Sequence, residues 1–214
     1  MKLITEKFEK LGRPKQVRII HAALKEFAAK GFEQASTNQI VKHAQIGKGM
    51  LFYYFTNKQE LYQYLADYSL DLIMNEYLQH IDQTQPDFIE RMKQAVRVKM
   101  SAFTENPYVF NFLGTILLAK ETHLPQKLER RIQELQEIGN KIIYDGIDLT
   151  FFRDDVDVDK AFQLLRWSIE GYQNELITQL SGKKLSEMDM EPYWEEFYDY
   201  LDVLKTSFYK KQGG

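Results

Sequence analysis

Cysteine is absent from all 214 residues, so neither a disulfide framework nor a thiolate metal site is available to this chain. No stretch approaches eighteen consecutive apolar residues, so no membrane-spanning helix is expected. The opening MKLITEKFEKLGRPKQ carries charge throughout and lacks an apolar signal core, which argues against secretion and for a soluble, cytoplasmic protein. Neither a glycine-rich phosphate loop nor a nucleophile elbow occurs. The four histidines form no metal pair with convincing neighbours, and Glu76 with His80 reads better as an exposed charge pair. No catalytic centre, metal or cofactor is therefore expected, and the chain does not read as an enzyme.

Apolar residues, by contrast, are plentiful. The chain is 44% hydrophobic and 14% aromatic, enough to bury a substantial core and to exclude general disorder. Charge is unevenly placed. Residues 1–62 hold eleven Lys/Arg against five Asp/Glu, whereas the remainder holds seventeen against twenty-six. A basic first part points to a polyanionic partner there and to something else for the acidic part.

Turn signals are sparse, and helical periodicity runs through almost the whole chain, which predicts an all-α fold of about nine helices. Helix one is expected over 14–30, with Val17, Ile20, Leu24 and Phe27 on one stripe and Gly31 ending it. Ser36 and Gln39 form a capping box for a helix over 37–44. A break at Gln45-Ile46-Gly47 precedes a short helix over 48–54. Asn57 with Glu60 opens the next, reaching about His80. Pro86, Pro107, Pro125, the acidic run 154–159 and Pro192 mark later helix starts, with ends near 104 for the helix after Pro86, 149 for the one after Pro125, 180 for the one after the acidic run and 209 for the last.

The stretch KGMLFYYF, residues 48–55, divides on a helical wheel. Leu51 and Phe55 face inward, joining Phe27, Ile40, Ala44 and Ile46. Gly49 and Tyr53 face outward, with Met50 and Tyr54 on one edge and Lys48 and Phe52 on the other. Lysine, glycine and tyrosine on one outward face suit a DNA major groove, because they offer charge, close backbone approach and contact with phosphate or thymine methyls. Two helices joined by a three-residue break, the second bearing this face, describe a helix-turn-helix. Lys58, in the first turn of the following helix, opposes the helix dipole; it reads either as a solvated charge or as half of a phosphate clamp.

TNQIVKHAQIGKGMLFYYFTNKQELY, residues 37–62, resembles the DNA-binding half of TetR-type transcriptional regulators, with the match running over 14–64. The resemblance implies an N-terminal three-helix DNA-binding domain (1–62) and a larger C-terminal helical domain (63–214) for effector binding and dimerisation. It implies that Thr37 contacts phosphate and that Gly47, Lys48, Gly49 and Met50 head a recognition helix. Tyr53 would then enter the groove of a double-stranded DNA operator, while Tyr54 and Lys58 grip the backbone. Three residues depart from the family pattern: Gln45 for a turn glycine, Gly47 for a capping serine, and Met50 for threonine. A left-handed Gln45 costs on the order of 1 kcal/mol. The arm bearing Lys10, Arg13 and Lys15 reads equally as a strand along DNA, a minor-groove insert or a solvated charged tail.

In the larger part, Leu128, Ile132, Leu135, Gly139, Ile142, Gly146 and Leu149 form one heptad-like stripe. Val158, Phe162, Leu165, Ile169, Tyr172 and Leu176 form another. Both suit either a monomer core or a homodimer interface. The resemblance implies that these two helices pair with a second copy, Gly139 and Gly146 permitting close approach. Met74, Met100, Phe103 and Phe110 read as core or, by the resemblance, as the lining of a pocket for a small apolar or aromatic effector, with Tyr144 and Trp167 on its dimer-facing wall. The sequence thus supports a ligand-responsive dimeric repressor on a palindrome; the second reading is a helical protein–protein adaptor without DNA binding.

Overall fold

The computed structural model describes residues 7–118, 125–180, 183 and 188–211. Among them the chain is helical throughout: a turn at 7–9 precedes α1 (Arg13–Gln34), α2 (Thr37–Ala44), α3 (Lys48–Tyr54), α4 (Lys58–Glu76), α5 (Phe88–Glu105), α6 (Pro107–Leu118), α7 (Gln126–Tyr144), α8 (Val158–Leu180) and α9 (Glu191–Phe208). Short 3-10 turns cover Leu78–His80 and Leu149–Phe151. Among the described residues β pairing is limited to one antiparallel bridge, Phe152 to Tyr209. The all-α expectation holds, and most helix starts fall where proline or a cap residue placed them. Gly31, at φ +67 and ψ 175, is non-helical and breaks the run where an end was expected, with one further turn to Gln34 beyond the kink. Two ends differ. The helix expected to reach about His80 stops at Glu76, and a separate 3-10 turn covers Leu78–His80. The helix after Pro125 stops at Tyr144 instead of running to 149, because Gly146 adopts φ +69 just beyond it, a conformation open to glycine at little cost.

The described chain gathers into two compact units. The first comprises the chain through Leu72 together with Glu105–Ile132. Its core holds Ile19, Ile20, Leu24 and Phe27 of α1, Ile40 and Ala44 of α2, Leu51 and Phe55, Leu61 and Leu65 of α4, and Phe112 of α6. Phe27 meets Tyr62 edge-on at 5.1 Å and Phe112 at 6.3 Å. Ile46, expected inside, is half-buried.

The second unit comprises Ile73–Thr104, Gln133–Lys183 and the C-terminal stretch. Its main core packs Phe88, Ile89, Met92 and Val96 of α5 against Phe152, Ala161, Leu165, Ile169, Phe197, Leu201 and Tyr209. Asp87 caps α5 by accepting from the Ile89 and Glu90 amides at 2.9 and 3.2 Å. It also accepts from the Tyr209 hydroxyl at 3.0 Å and Lys205 Nζ at 2.9 Å, which ties the end of the chain to the start of α5.

Part of the expected dimer stripe packs within its own chain. Ile142 is buried and Leu135 packs beside it on a small cluster with Leu78, Ile81 and Ala95. A Cβ on Gly139 would meet Leu78 Cδ2 at 3.6 Å, so that glycine faces its own chain. Gly146 lies outside any helix and serves as a stop. Leu165 and Ile169 are fully buried, with Phe162 packed on the same core. Tyr172 lies against Phe197 at 5.1 Å and donates to Tyr193 O at 3.1 Å, joining α8 to α9. At Ile142, Leu165 and Ile169 the heptad rhythm is satisfied within one chain, while Leu135, Phe162 and Tyr172 stay half-buried.

Candidate nucleic-acid interface

Local chemistry builds the α2–α3 motif. Ser36 caps α2, its hydroxyl accepting from the Gln39 amide at 3.5 Å, while its own amide donates to Glu26 Oε1 at 3.0 Å and so anchors the cap to α1. At the other end Gln45 takes the left-handed conformation (φ 54, ψ 48). Its amide donates to Lys42 O at 3.2 Å, and the Ile46 amide to Val41 O at 3.1 Å, the paired bonds of a Schellman stop. Glycine is the usual residue there; here glutamine bears the strain. Gly47 then precedes α3 in ordinary extended geometry (φ −73, ψ 146) without a side-chain cap.

The recognition helix divides as its wheel requires. Leu51 and Phe55 are buried, while Lys48, Gly49, Phe52 and Tyr53 are exposed and Met50 half-buried. Tyr53, 57% exposed, is the most accessible large side chain of the motif, and Lys7 Nζ lies 4.5 Å from its ring centroid. A Cβ on Gly47 or Gly49 would meet nothing within 4 Å, so α3 presents an open, cationic and aromatic face. Thr37 is half-buried at the start of α2.

Two residues expected at the DNA backbone have partners within the chain. Tyr54 is only 8% exposed; Phe8 packs edge-on against its ring at 5.7 Å, so it belongs to the core that holds α3 in place. Lys58 Nζ donates to Glu33 O at 3.0 Å and Ala35 O at 3.4 Å and lies 4.7 Å from the Phe32 ring centroid. It sits where α1 ends, and a cation is favourable on those terminal carbonyls. Lys58 therefore joins the start of α4 to the end of α1. Alanine at Lys58 is expected to lower unfolding stability by about 1–2 kcal/mol while leaving the salt dependence of DNA binding unchanged. A salt slope reduced by about one would return the lysine to a phosphate. The start of α4 has its own cap: Asn57 Oδ1 accepts from the Glu60 amide at 2.9 Å, and Glu60 reaches back to the Thr56 amide at 2.7 Å.

Sequence reasoning missed Phe8. It is fully buried, with Phe55 at 4.9 Å and Tyr64 at 5.3 Å. Gln16 holds the adjoining chain, its Nε2 donating to Phe8 O, Glu9 O and Leu11 O at 3.1, 2.8 and 2.9 Å. From Lys7 onward the arm is packed structure rather than a free tail; Lys10 and Arg13 are exposed and Lys15 half-buried. The signal was a single phenylalanine in a charged stretch.

The expected pocket residues do not converge. Trp167 is 59% exposed on the outer side of α8. Tyr144 stacks on Phe88 at 5.5 Å, with the Arg166 guanidinium 4.4 Å from its ring centroid, so it is core. Met100 packs on the main core of the second unit and Met74 on its smaller cluster. Phe103 is half-buried on α5, and Phe110 belongs to the first unit.

Residues 19–65 match the family model of bacterial regulatory proteins of the tetR family. The chain is 26% identical over 172 residues to the fatty acid metabolism regulator protein of Bacillus subtilis strain 168, covering 74% of this chain and 81% of that one. It is 37% identical over 59 residues to the HTH-type transcriptional regulator YuxN of the same organism, covering 28% of this chain and 20% of that one. In fold it resembles a TetR family transcriptional regulator from Chloroflexus aurantiacus J-10-fl (TM-score 0.60, 22% identity, 97% of this chain and 99% of that one). It also resembles the fatty acid degradation regulator FadR from Bacillus halodurans (TM-score 0.58, 20% identity, 90% and 96%). The helix-turn-helix segment of this chain, residues 19–65, thus matches the model of bacterial regulatory proteins of the tetR family, and the all-α fold is that of solved TetR family regulators.

Proposed function

We propose that the protein is a cytoplasmic, effector-controlled repressor that binds a palindromic operator as a homodimer. The observation that carries this reading is the divided recognition helix: Leu51 and Phe55 locked in the core, and Lys48, Gly49 and Tyr53 presented outward on a basic unit. Residues 1–62 supply the DNA contacts, led by Lys48, Gly49, Met50 and Tyr53 with Thr37 and Gly47 at the helix starts; the rest of the chain serves effector binding and dimerisation. Two recognition helices of a symmetric dimer enter successive major grooves, and an effector that favours a poorly spaced dimer lowers operator affinity. The likeness to a fatty acid metabolism regulator supports an effector with an acyl chain. Selection of fragmented genomic DNA by the purified protein tests the reading. Enrichment of one palindrome is expected; a folded dimer that enriches none, with and without cell extract, overturns it.

In this reading the dimer surface lies on the α8–α9 face, next to the half-buried part of the expected stripe. Leu164 and Trp167 on α8 and Tyr200 and Val203 on α9 are exposed, Val203 at 61%, and Gly171 between them has open space around it. Aromatic and aliphatic side chains left in water on two neighbouring helices are the mark of a surface that another protein covers. Glutamate at Trp167 is expected to convert the dimer to monomer in sedimentation while leaving the helical spectrum intact. An unchanged sedimentation coefficient would remove this face from consideration.

A further inference from the structure

Lys7 and Phe8 are neighbours in the chain, and each meets one of two neighbouring tyrosines on α3. Phe8 is fully buried and packs edge-on against the Tyr54 ring at 5.7 Å. Lys7 is exposed, and its Nζ lies 4.5 Å from the centroid of the Tyr53 ring, within cation–π range. Tyr53 in turn meets Tyr54 edge-on at 5.3 Å. The four side chains close a circuit, with Phe8 and Tyr54 as its buried pair and Lys7 and Tyr53 as its exposed pair.

The buried pair fixes where the exposed pair stands. Phe8 also packs against Phe55 at 4.9 Å and Tyr64 at 5.3 Å. Its carbonyl accepts from the Leu11 amide at 3.0 Å and from Gln16 Nε2 at 3.1 Å, so backbone and side chain are both held. A lysine on a loose tail would lose conformational entropy on meeting DNA; this one is ordered beforehand, beside the most exposed ring of the recognition helix. Among the described residues no carboxylate pairs with Lys7. An ammonium has three donors, and a ring on one side leaves room for an anionic acceptor on another.

Phosphates line both edges of the major groove, and a compact ammonium meets them as a point charge. We propose that Lys7 is a further operator-contacting residue. It binds a backbone phosphate at the edge of the groove that Tyr53 enters, and it holds the Tyr53 ring at the angle with which that ring meets the bases. Phe8 is the positioning residue that keeps the ammonium there without touching DNA itself. This rests on the repressor reading above and adds to it a contact from outside the helix-turn-helix.

The test uses the full-length protein and the palindrome enriched from genomic fragments, with Kd read by fluorescence anisotropy between about 50 and 200 mM KCl. Lys7→Met is expected to weaken binding about tenfold at the low-salt end and to reduce the salt slope by about two, one phosphate for each subunit. Its melting curve is expected to match wild type, because Lys7 is exposed. Lys7→Arg is expected to keep slope and affinity within about threefold of wild type, since a guanidinium also stacks on tyrosine and binds phosphate. In a Tyr53→Leu background the loss from Lys7→Met is expected to shrink to about threefold, the non-additivity of residues in contact. Full affinity and slope in Lys7→Met, no retention by arginine, or additive losses overturn the proposal. A wild-type protein that binds no palindrome removes the repressor reading together with this inference. Wild-type binding that Lys7→Met matches in full removes this inference alone.

Discussion

Replacing Arg91 by leucine is expected to lower stability by about 4–6 kcal/mol, enough to unfold the second unit or drop its melting temperature by about 10–20 °C. Arg91 is 0% exposed, and among the described residues its guanidinium bonds backbone carbonyls alone. Nη1 donates to Asp145 O at 2.6 Å, Ile142 O at 3.1 Å and Ile143 O at 3.4 Å, the carbonyls closing α7. Nη2 donates to Gln85 O at 2.6 Å and Gln83 O at 2.9 Å, and Nε to Gln85 O at 2.9 Å. A cation against the negative end of α7 is electrostatically favourable, and the planar fork matches acceptors lying on two sides. Removing it strands five carbonyls, each costing about 1–3 kcal/mol where water cannot replace the donor. That sum approaches the whole stability of a typical domain. Lysine at the same position offers three donors from one atom and is expected to recover only a minor part of the loss. Urea and thermal unfolding followed by circular dichroism measure the effect, and a lysine variant as stable as wild type would contradict this account.

The second large effect concerns function without stability. Gly49→Glu is expected to abolish operator binding, with a loss of about 100-fold or more, while the melting temperature stays within a few degrees of wild type. The fold tolerates the change because Gly49 is exposed, its Cβ position is open and its φ is helical. The interface does not, because each subunit of the dimer would bring a carboxylate toward phosphates and acceptor-rich base edges, and like-charge contact of this kind costs several kcal/mol. Fluorescence anisotropy with the selected operator, alongside a melting curve, reads both quantities. Full DNA affinity in Gly49→Glu would move the interface away from α3. Tyr53→Ala, by contrast, is expected to alter sequence preference with a smaller loss, since tyrosine contributes one contact rather than a charge.

Much of this protein was legible before folding was considered. Helix starts were written in short-range chemistry: Ser36 over Gln39, Asn57 over Glu60, and the prolines at 107 and 192. Such signals act within four residues, so they survive without tertiary context. The helix-turn-helix was legible for the same reason, since its residue spacing sets which side chains face in and which face out. Even the strain at Gln45 was foreseeable, because a three-residue break after α2 demands a left-handed residue at that position.

What the sequence alone determined was therefore the set of helices, the inward and outward faces of α3 and the likeness of its helix-turn-helix to the tetR family model. What only the tertiary structure decided was the partner of each apolar or charged side chain. A heptad stripe states that Ile142, Leu165 and Ile169 must be buried, but the same periodicity serves a core or a dimer; folding assigned them to the core and left Trp167 and Val203 outside. A lysine at a helix start looks like a phosphate ligand until the end of another helix is placed 3.0 Å away, as Glu33 O is from Lys58. The roles of Phe8 and Arg91 could not be read locally, because Tyr64 and the carbonyls of Ile142 and Asp145 lie more than fifty residues along the chain. Local periodicity encodes that a face is apolar, and only long-range packing encodes what that face meets.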